Sequence, residues 1–159
     1  MSSDVKEMSE DEILERIVRL GFGGDGARFE AFKEKLRAGL PEGTGVALRG
    51  SVVTGEKYKD GRPFDADGIG TSDLDVALIG AKAMDCWDKD EFYIPALHTK
   101  PLGDKAPDIA PSLNSLRRAL QQLVKRPVNF QATANIILFG RDVLFGEPYF
   151  VIIEPGEEA

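Results

Sequence analysis

Two kinds of hydrophobic spacing divide the chain. Over residues 9–40 apolar side chains recur every three or four positions, first as Ile13, Leu14, Ile17, Val18 and Leu20, then as Phe29, Phe32, Leu36 and Leu40. That period places each set on one face of a helix, so the stretch reads as a helical pair. Ser9 and Glu12 make a capping-box pattern at its start, GFGGDG at 21–26 divides it, and PEGTG at 41–45 ends it. From residue 46 the spacing changes. VALR at 46–49 and LDVALIG at 74–80 are short apolar runs bounded by glycine, which predicts strands.

Residues 81–111 hold Pro95, Pro101, Pro107 and Pro111 and follow no period, which predicts an irregular excursion long enough to act as a functional loop. After it, Leu113, Leu116, Leu120, Leu123 and Val124 line one face of SLNSLRRALQQLVKR, with Ser112 placed to cap its start and Lys125 and Arg126 suited to its C-terminal end. PVNFQA at 127–132 predicts a strand. NIILF, DVLF and YFVII, divided by GR and GEP, read as further strands before a solvated tail, EPGEEA. No internal repeat or low-complexity tract interrupts this order. The expected fold is α/β in the broad sense (α+β), a mixed β-sheet covered by helices. It fills one domain over 1–159: the helical pair at 9–40, strands and a connecting loop at 46–80, the excursion at 81–111, and a helix with further strands at 112–153.

Composition narrows the setting. A chain of 159 residues, 42% hydrophobic, suits one packed core. Twenty Lys and Arg against 27 Asp and Glu leave a net charge of −7, which disfavours a long nucleic acid as partner. The single cysteine, Cys86, excludes an internal disulfide, and MSSDVKEMSEDE lacks the apolar core of a signal peptide. No run approaches the roughly 18 consecutive apolar residues of a membrane span. The expectation is a cytoplasmic protein with no membrane partner; a delivered bacterial toxin domain shares these features.

The candidate chemistry lies in GSVVTGEKYKDGRPFDADGIGTSDLDV, residues 50–76. Side chains alternate along a strand, so Asp73 and Asp75 project from one face and Leu74, Val76 and Leu78 from the other. Two adjacent carboxylates raise one another's pKa unless a cation or several donors hold both ionised. Oxygen ligands without clustered Cys or His point to a hard ion, Mg²⁺ or Mn²⁺, rather than zinc. Gly50 and Ser51 follow the VALR strand directly. A glycine lets a phosphate approach the backbone, whose amides, with the Ser51 hydroxyl, donate to its oxygens.

The order of strand, Gly-Ser, intervening segment and Ser-Asp-Leu-Asp-Val on a second strand resembles the minimal single-domain nucleotidyltransferases of the DNA polymerase beta-like superfamily. LRGSVVTG followed by SDLDVALIG also looks like nucleotidyltransferase-like domains of bacterial toxin systems. The resemblance covers 46–80 closely and 112–132 by order of elements. It implies transfer of a nucleoside monophosphate from a nucleoside triphosphate, ATP being the expected one, to a hydroxyl of a protein, small molecule or tRNA end. It also implies catalytic, metal-binding roles for Asp73 and Asp75 and nucleotide-binding roles for Gly50, Ser51 and Ser72. Two positions depart from the pattern. The stretch from Ser51 to Asp73 carries an insert, EKYKDGRPFDADG, in which Lys57, Lys59 and Arg62 either reach a phosphate or form a solvated loop. Where the family places a third carboxylate, RPVNFQA offers Asn129 or Gln131, and an amide can neither accept the acceptor's proton nor bring charge to a metal. Asp65, Asp67, Asp108 and Glu147 are the candidate substitutes. A catalytically inactive nucleotide-binding or protein-interaction module with the same fold is the alternative.

Other residues carry less. DADGIG at 65–70 matches a calcium loop at three positions, but Ile69 and Val76 stand where oxygen ligands belong. His98, the only histidine, is expected as a polar surface group on a loop, with general-base chemistry the sharper reading. Trp87 and Tyr93 are expected to anchor the excursion rather than to stack on a base. Arg117 and Arg118 are expected on the polar face of their helix.

Overall fold

The first two helices form where caps and apolar period coincide. A computed structural model describes residues 7–57 and 60–156. Lys59 of the basic insert, the first six residues and the last three of the acidic tail lie outside that range. Helix α1 (Glu10–Gly21) opens on the expected capping box, with Glu12 N donating to Ser9 Oγ at 3.1 Å and Ser9 N to Glu12 Oε1 at 2.8 Å. Helix α2 (Gly26–Gly39) is capped by Asp25, which accepts from the amides of Ala27 and Arg28. Their buried faces are Ile13 and Ile17, and Phe29, Phe32 and Leu36. Phe22, in the turn between them, meets Phe29 and Phe32 edge to face with centroids 5.0 Å apart in each case.

Strand β1 (Gly45–Arg49) runs into a one-turn helix, α3 (Ser51–Thr54), and strand β2 (Leu74–Ile79) pairs back antiparallel on β1. The chain then passes through α4 (Ala81–Met84), β3 (Phe92–Ile94), β4 (His98–Thr99) and a 3-10 turn (Pro111–Leu113) into helix α5 (Asn114–Val124). Strand β5 (Val128–Thr133) returns parallel to β2, and α6 (Ile136–Asp142) and β6 (Tyr149–Ile153) complete the chain. The result is a six-stranded mixed sheet in the order β3-β4-β5-β2-β1-β6 with helices on it, an α+β fold. Among the described residues no helix is long and apolar enough to cross a membrane.

Strand alternation gives the sheet two unlike faces. Val46, Leu48, Leu74, Val76, Leu78, Val128, Phe130 and Ala132 face the main core with α1, α2 and α5. Ala47, Ala77 and Ile79 face the other way, under Phe139 and Leu144 of α6 and the turn after it. That second face also carries Arg49, Asp75 and Asn129, which the register sets side by side: Arg49 opposite Asp75, and Asp75 opposite Asn129.

Five expectations change. Residues 81–111 are not wholly irregular, because β3 and β4 extend the sheet past β5; strands of two or three residues are too short to show a period. Trp87 does anchor the segment, buried with Nε1 donating to Lys100 O at 2.8 Å, while Tyr93 is exposed on β3. Ser112 caps nothing, since the 3-10 turn carries the chain into α5 without a side-chain cap. Arg117 is 1% exposed, donating to Asn114, Asp104, Gln121 and Val128 O, so it is a buried tie between α5 and β5 rather than part of a polar face. Finally, NIILF is helical and DVLF forms its end and a turn, leaving YFVII as the strand of the three. Asn135 supplies the cap that overrides the β-branched run, accepting from Ile137 and Leu138 amides.

One ion pair ties these parts together. Arg126 Nη1 and Nη2 donate to Asp65 Oδ1 and Oδ2 at 2.7 and 3.0 Å, a bidentate pair that is nearly buried on the arginine side. The same guanidinium donates to Ser72 O at 2.9 Å and Leu20 O at 3.3 Å. Burial alone would raise the Asp65 pKa; the Arg126 hydrogen bonds, with the Ser72 and Gly70 amides, more than offset it and hold the carboxyl below its ordinary range. The pair therefore contributes stability that is full above the unfolded carboxylate pKa of about 3.9 and is lost as pH falls through the lower folded value. Arg126→Ala is expected to cost about 2–3 kcal/mol in urea unfolding at pH 7, because a part-buried carboxylate loses its bidentate charged partner. Arg37→Ala, at an exposed pair with Glu34, is the control and should cost no more than about 1 kcal/mol.

Candidate functional site

The signature residues meet at one end of the second sheet face. Gly50 joins β1 to α3 with φ 81° and ψ −152°, a conformation open in practice to glycine alone, and a Cβ there would stand 3.0 Å from Asp75 Oδ2. Glycine at this point thus serves both the bend and the nearness of the Asp75 carboxylate. Asn129 Nδ2 donates to Asp73 Oδ2 at 2.8 Å and to Asp75 Oδ1 at 3.0 Å. The amide bridges the two carboxylates from the position where the strand register puts it. Gly103 leaves it room, for a Cβ on that residue would collide with Asn129 Oδ1.

Two N–H donors do not neutralise two charges. Among the described residues neither Asp73 nor Asp75 has a Lys or Arg partner within 4 Å. The Asp73 carboxyl is held above its ordinary pKa, first by burial on its inner side, then by the charges of Asp75 and Asp104, with the Asn129 hydrogen bond working the other way. Ionised at neutral pH, Asp73 therefore opposes folding, and that cost sets in as pH rises through its folded pKa.

Arg49 and Asp75 are opposite in register, yet the guanidinium reaches across the sheet, donating from Nη2 to Gln131 Oε1 at 3.1 Å and lying 5.8 Å from the Phe139 ring. Ala77, on the strand between and directly opposite Gln131, is small enough to leave that path open. Gln131 is thereby occupied, donating in turn to Thr99 O at 2.8 Å, so Asn129 and not Gln131 stands at the carboxylate pair.

A cavity of about 440 Å³ opens over this row. Arg49, Gly50, Ser51, Ser72, Asp73 and Asp75 line it together with Glu56, Lys57 and the segment Val143–Phe145 and Glu147. Of the four candidate substitute carboxylates, only Glu147 shares it. Asp65 is held by Arg126, Asp67 by Lys57 and Arg62 at 3.0 and 2.9 Å, and Asp108 lies exposed elsewhere. These pairings also remove the calcium-loop reading of DADGIG, whose carboxylates serve chain cations. Ser72 is buried, its hydroxyl accepting from Asp65 N at 2.8 Å, so it shapes the approach to Asp73 as well as lining the cavity.

His98 lies on β4, not on a loop, and is fully buried. Its Nδ1 meets Thr133 Oγ1 and its Nε2 meets Asp142 Oδ2, each at 2.9 Å, while its ring packs edge-on against Phe139 at 5.6 Å. Arg141, and after it His98, hold the Asp142 carboxyl at about 2. Both ring nitrogens are engaged away from the cavity, so the histidine is a structural link between β4, β5 and α6.

Sequence reading missed Arg49, Glu56 and Phe145. Arg49 alone carried a visible signal, as a cation on a strand next to Gly-Ser. The other two reach the cavity only through folding, one across a β-bridge from Glu56 to Pro63, the other across a turn. Among the described residues no three His, Cys, Asp or Glu side chains converge as a metal site. No family model, curated protein or solved structure matches the chain.

Gly50→Ala is expected to lower stability by about 1–3 kcal/mol, the cost of the disfavoured backbone conformation. Chemical denaturation measures it, and an unchanged midpoint would mean that this bend does not constrain Asp75.

Proposed function

We propose that the chain is a nucleotidyltransferase that uses Mg²⁺ or Mn²⁺ to transfer a nucleoside monophosphate from a nucleoside triphosphate, ATP first among them, to a hydroxyl of a protein, small molecule or tRNA end. The observation that carries this reading is the carboxylate pair Asp73 and Asp75, bridged by Asn129, on the cavity that Gly50 and Ser51 also line. The residue order that resembles the DNA polymerase beta-like superfamily supports the reading, and in this chain β1, β2 and β5 lie side by side.

The donor chemistry fits a hard divalent cation. Two carboxylates are too few for a closed Mg²⁺ cage, so phosphate oxygens and water would complete the shell, and tight binding requires nucleotide. Such an ion, once bound, neutralises charge on the transferring phosphoryl group. The chain's residues then position the parts. Gly50 leaves the backbone accessible to phosphate, Ser51 donates its hydroxyl, and Arg49 and Lys57 bring positive charge to the lining. The acceptor oxygen attacks the α-phosphorus and forms a new P–O bond. The bond to the oxygen bridging to the β-phosphate breaks, and pyrophosphate leaves with that electron pair. Glu147 and Glu56 are the carboxylates of the lining, apart from the aspartate pair, available to take the acceptor's proton.

A second reading has its own observation. Asn129 satisfies both carboxylates by donation and cannot serve as a base, which suits a module that binds nucleotide without transferring it. Pyrophosphate release separates the two, assayed with Mg²⁺, each nucleoside triphosphate in turn and a cell lysate as acceptor source. Release above that of Asp75→Asn supports transfer; binding without release supports the second reading.

Asp73→Asn should act in opposite directions on stability and binding. Removing an unneutralised carboxylate is expected to raise the melting temperature at pH 7, with the gain vanishing below about pH 4, where the carboxylate is protonated. Mg²⁺-dependent ATP affinity should fall roughly 10-fold or more as a metal ligand is lost. Thermal denaturation across pH and calorimetry measure the two; equal nucleotide affinity in variant and wild type removes the metal-site claim.

Asn129→Asp adds a third carboxylate to the cluster and should make Mn²⁺ alone stabilising, seen as a rise in melting temperature with metal that wild type lacks. Identical metal response would place residue 129 away from the chemistry.

A further inference from the structure

We infer that Phe145 is a stacking platform for the base of the bound nucleotide, an inference that rests on the nucleotide reading above. The segment after α6 turns back sharply, with Glu147 N donating to Leu144 O at 3.0 Å across Phe145 and Gly146. Those two central residues have φ of 51° and 86°. Positive φ at both positions belongs to a type I′ turn, where Asn-Gly or Gly-Gly is ordinary and a bulky aromatic is an outlier. The turn is held from both sides, by Leu144 N to Phe139 O at 3.1 Å and Gly146 N to Gly140 O at 3.0 Å.

The strained residue does not use its ring in the core. Leu144 beside it is buried at 5% exposure, whereas Phe145 is 77% exposed. One side chain therefore carries a backbone cost and a hydration cost together, with no packing among the described residues to explain either. What it does border is the cavity over the carboxylates. The signature segments give that cavity its charged and hydroxyl-bearing lining, and Val143, Leu144 and Phe145 give it an apolar one. A ligand matched to both is strongly anionic at one end and flat and apolar at the other. A nucleoside triphosphate has that form, and its base offers a π-face to an exposed phenyl ring. The volume of about 440 Å³ lies within the range of small-molecule sites.

Calorimetry on the full chain with Mg²⁺ tests this with two probes, ATP and inorganic tripolyphosphate, which has the charge but no base. Wild type is expected to bind ATP more tightly than tripolyphosphate. Phe145→Ala should weaken ATP roughly tenfold and leave tripolyphosphate unchanged. Phe145→Trp should keep ATP affinity, and its emission, measured against wild type with Trp87 alone, should be quenched by ATP and not by tripolyphosphate. Phe145→Asn, a residue that tolerates positive φ, should lose ATP affinity as the alanine variant does while melting at a higher temperature than wild type. ATP affinity unchanged in both Phe145→Ala and Phe145→Asn overturns the platform and leaves the nucleotide reading standing. Equal loss of both probes overturns it too, by making Phe145 a shaper of the cavity rather than a contact for the base. Wild type that binds neither probe overturns the nucleotide reading and the platform with it.

Discussion

The Asp65–Arg126 pair is the constraint on which the placement of the carboxylates depends. Asp65 sits at the far end of a long insert, with φ 61°, and Arg126 stands just beyond α5, so a contact 61 positions apart in sequence closes the approach to β2. The two Asp65 oxygens also accept from Ser72 N and Gly70 N, and Arg126 reaches Ser72 O and Leu20 O. One charge pair, buried on its arginine side, thus fixes the end of α1, the residue before Asp73, and the turn from α5 into β5. Bidentate geometry matters here, since a fork of N–H groups on a carboxylate defines orientation as well as distance. The Arg126 guanidinium lies 4.7 Å from the Phe64 ring, which packs the charge against an apolar neighbour instead of leaving it to water.

From that fixed start the sheet register does the rest. Parallel pairing of β2 with β5 sets Asp75 against Asn129, and antiparallel pairing of β1 with β2 sets Arg49 against Asp75. Because side chains alternate, burying Leu74, Val76 and Leu78 on one face obliges Asp73 and Asp75 to share the other. A slip of one residue would bury the carboxylates in the main core, which the desolvation penalty forbids. Core packing therefore specifies the site indirectly, and the price is a carboxylate pair held together without a cation of the chain.

How much of this could be read from the sequence depended on where each signal resided. The capping box at Ser9, the stripes of α1 and α2, β1, β2, β5 and the leucine face of α5 are local patterns, and each stands where the periodicity puts it. Asp73, Asp75 and Gly50 were legible for the same reason: two aspartates one residue apart, and a glycine after a strand. What escaped was set by tertiary partners. Arg117 looks like a surface residue until Asp104, Asn114 and Gln121 surround it, and His98 until Thr133 and Asp142 engage both nitrogens. NIILF has the composition of a strand, and only the Asn135 cap and burial of Phe139 against Ala47 and Ala77 make it helical.

The two faces of the sheet differ in how completely they are covered, and the candidate site follows from that difference. α1, α2 and α5 close the first face, where Val46, Leu74, Leu78, Val128 and Phe130 lose nearly all exposure. The second face has only α6 and the turn after it, and their apolar contacts stop at Ala47, Ala77 and Ile79. In the next row along the strands Arg49 still reaches α6, its guanidinium 5.8 Å from the Phe139 ring, whereas Asp75 and Asn129 stay part-exposed and keep contact with water, as their desolvation cost requires. A helix of seven residues, about 10 Å long, is too short to roof both rows. The cavity is the space left where that roof ends, bounded by the turn at Val143–Glu147 on one side and by Gly50–Ser51 on the other. Lengthening α6 by a turn would improve burial and erase the opening, so the short helix and the sharp turn after it are as much part of the site as the aspartates.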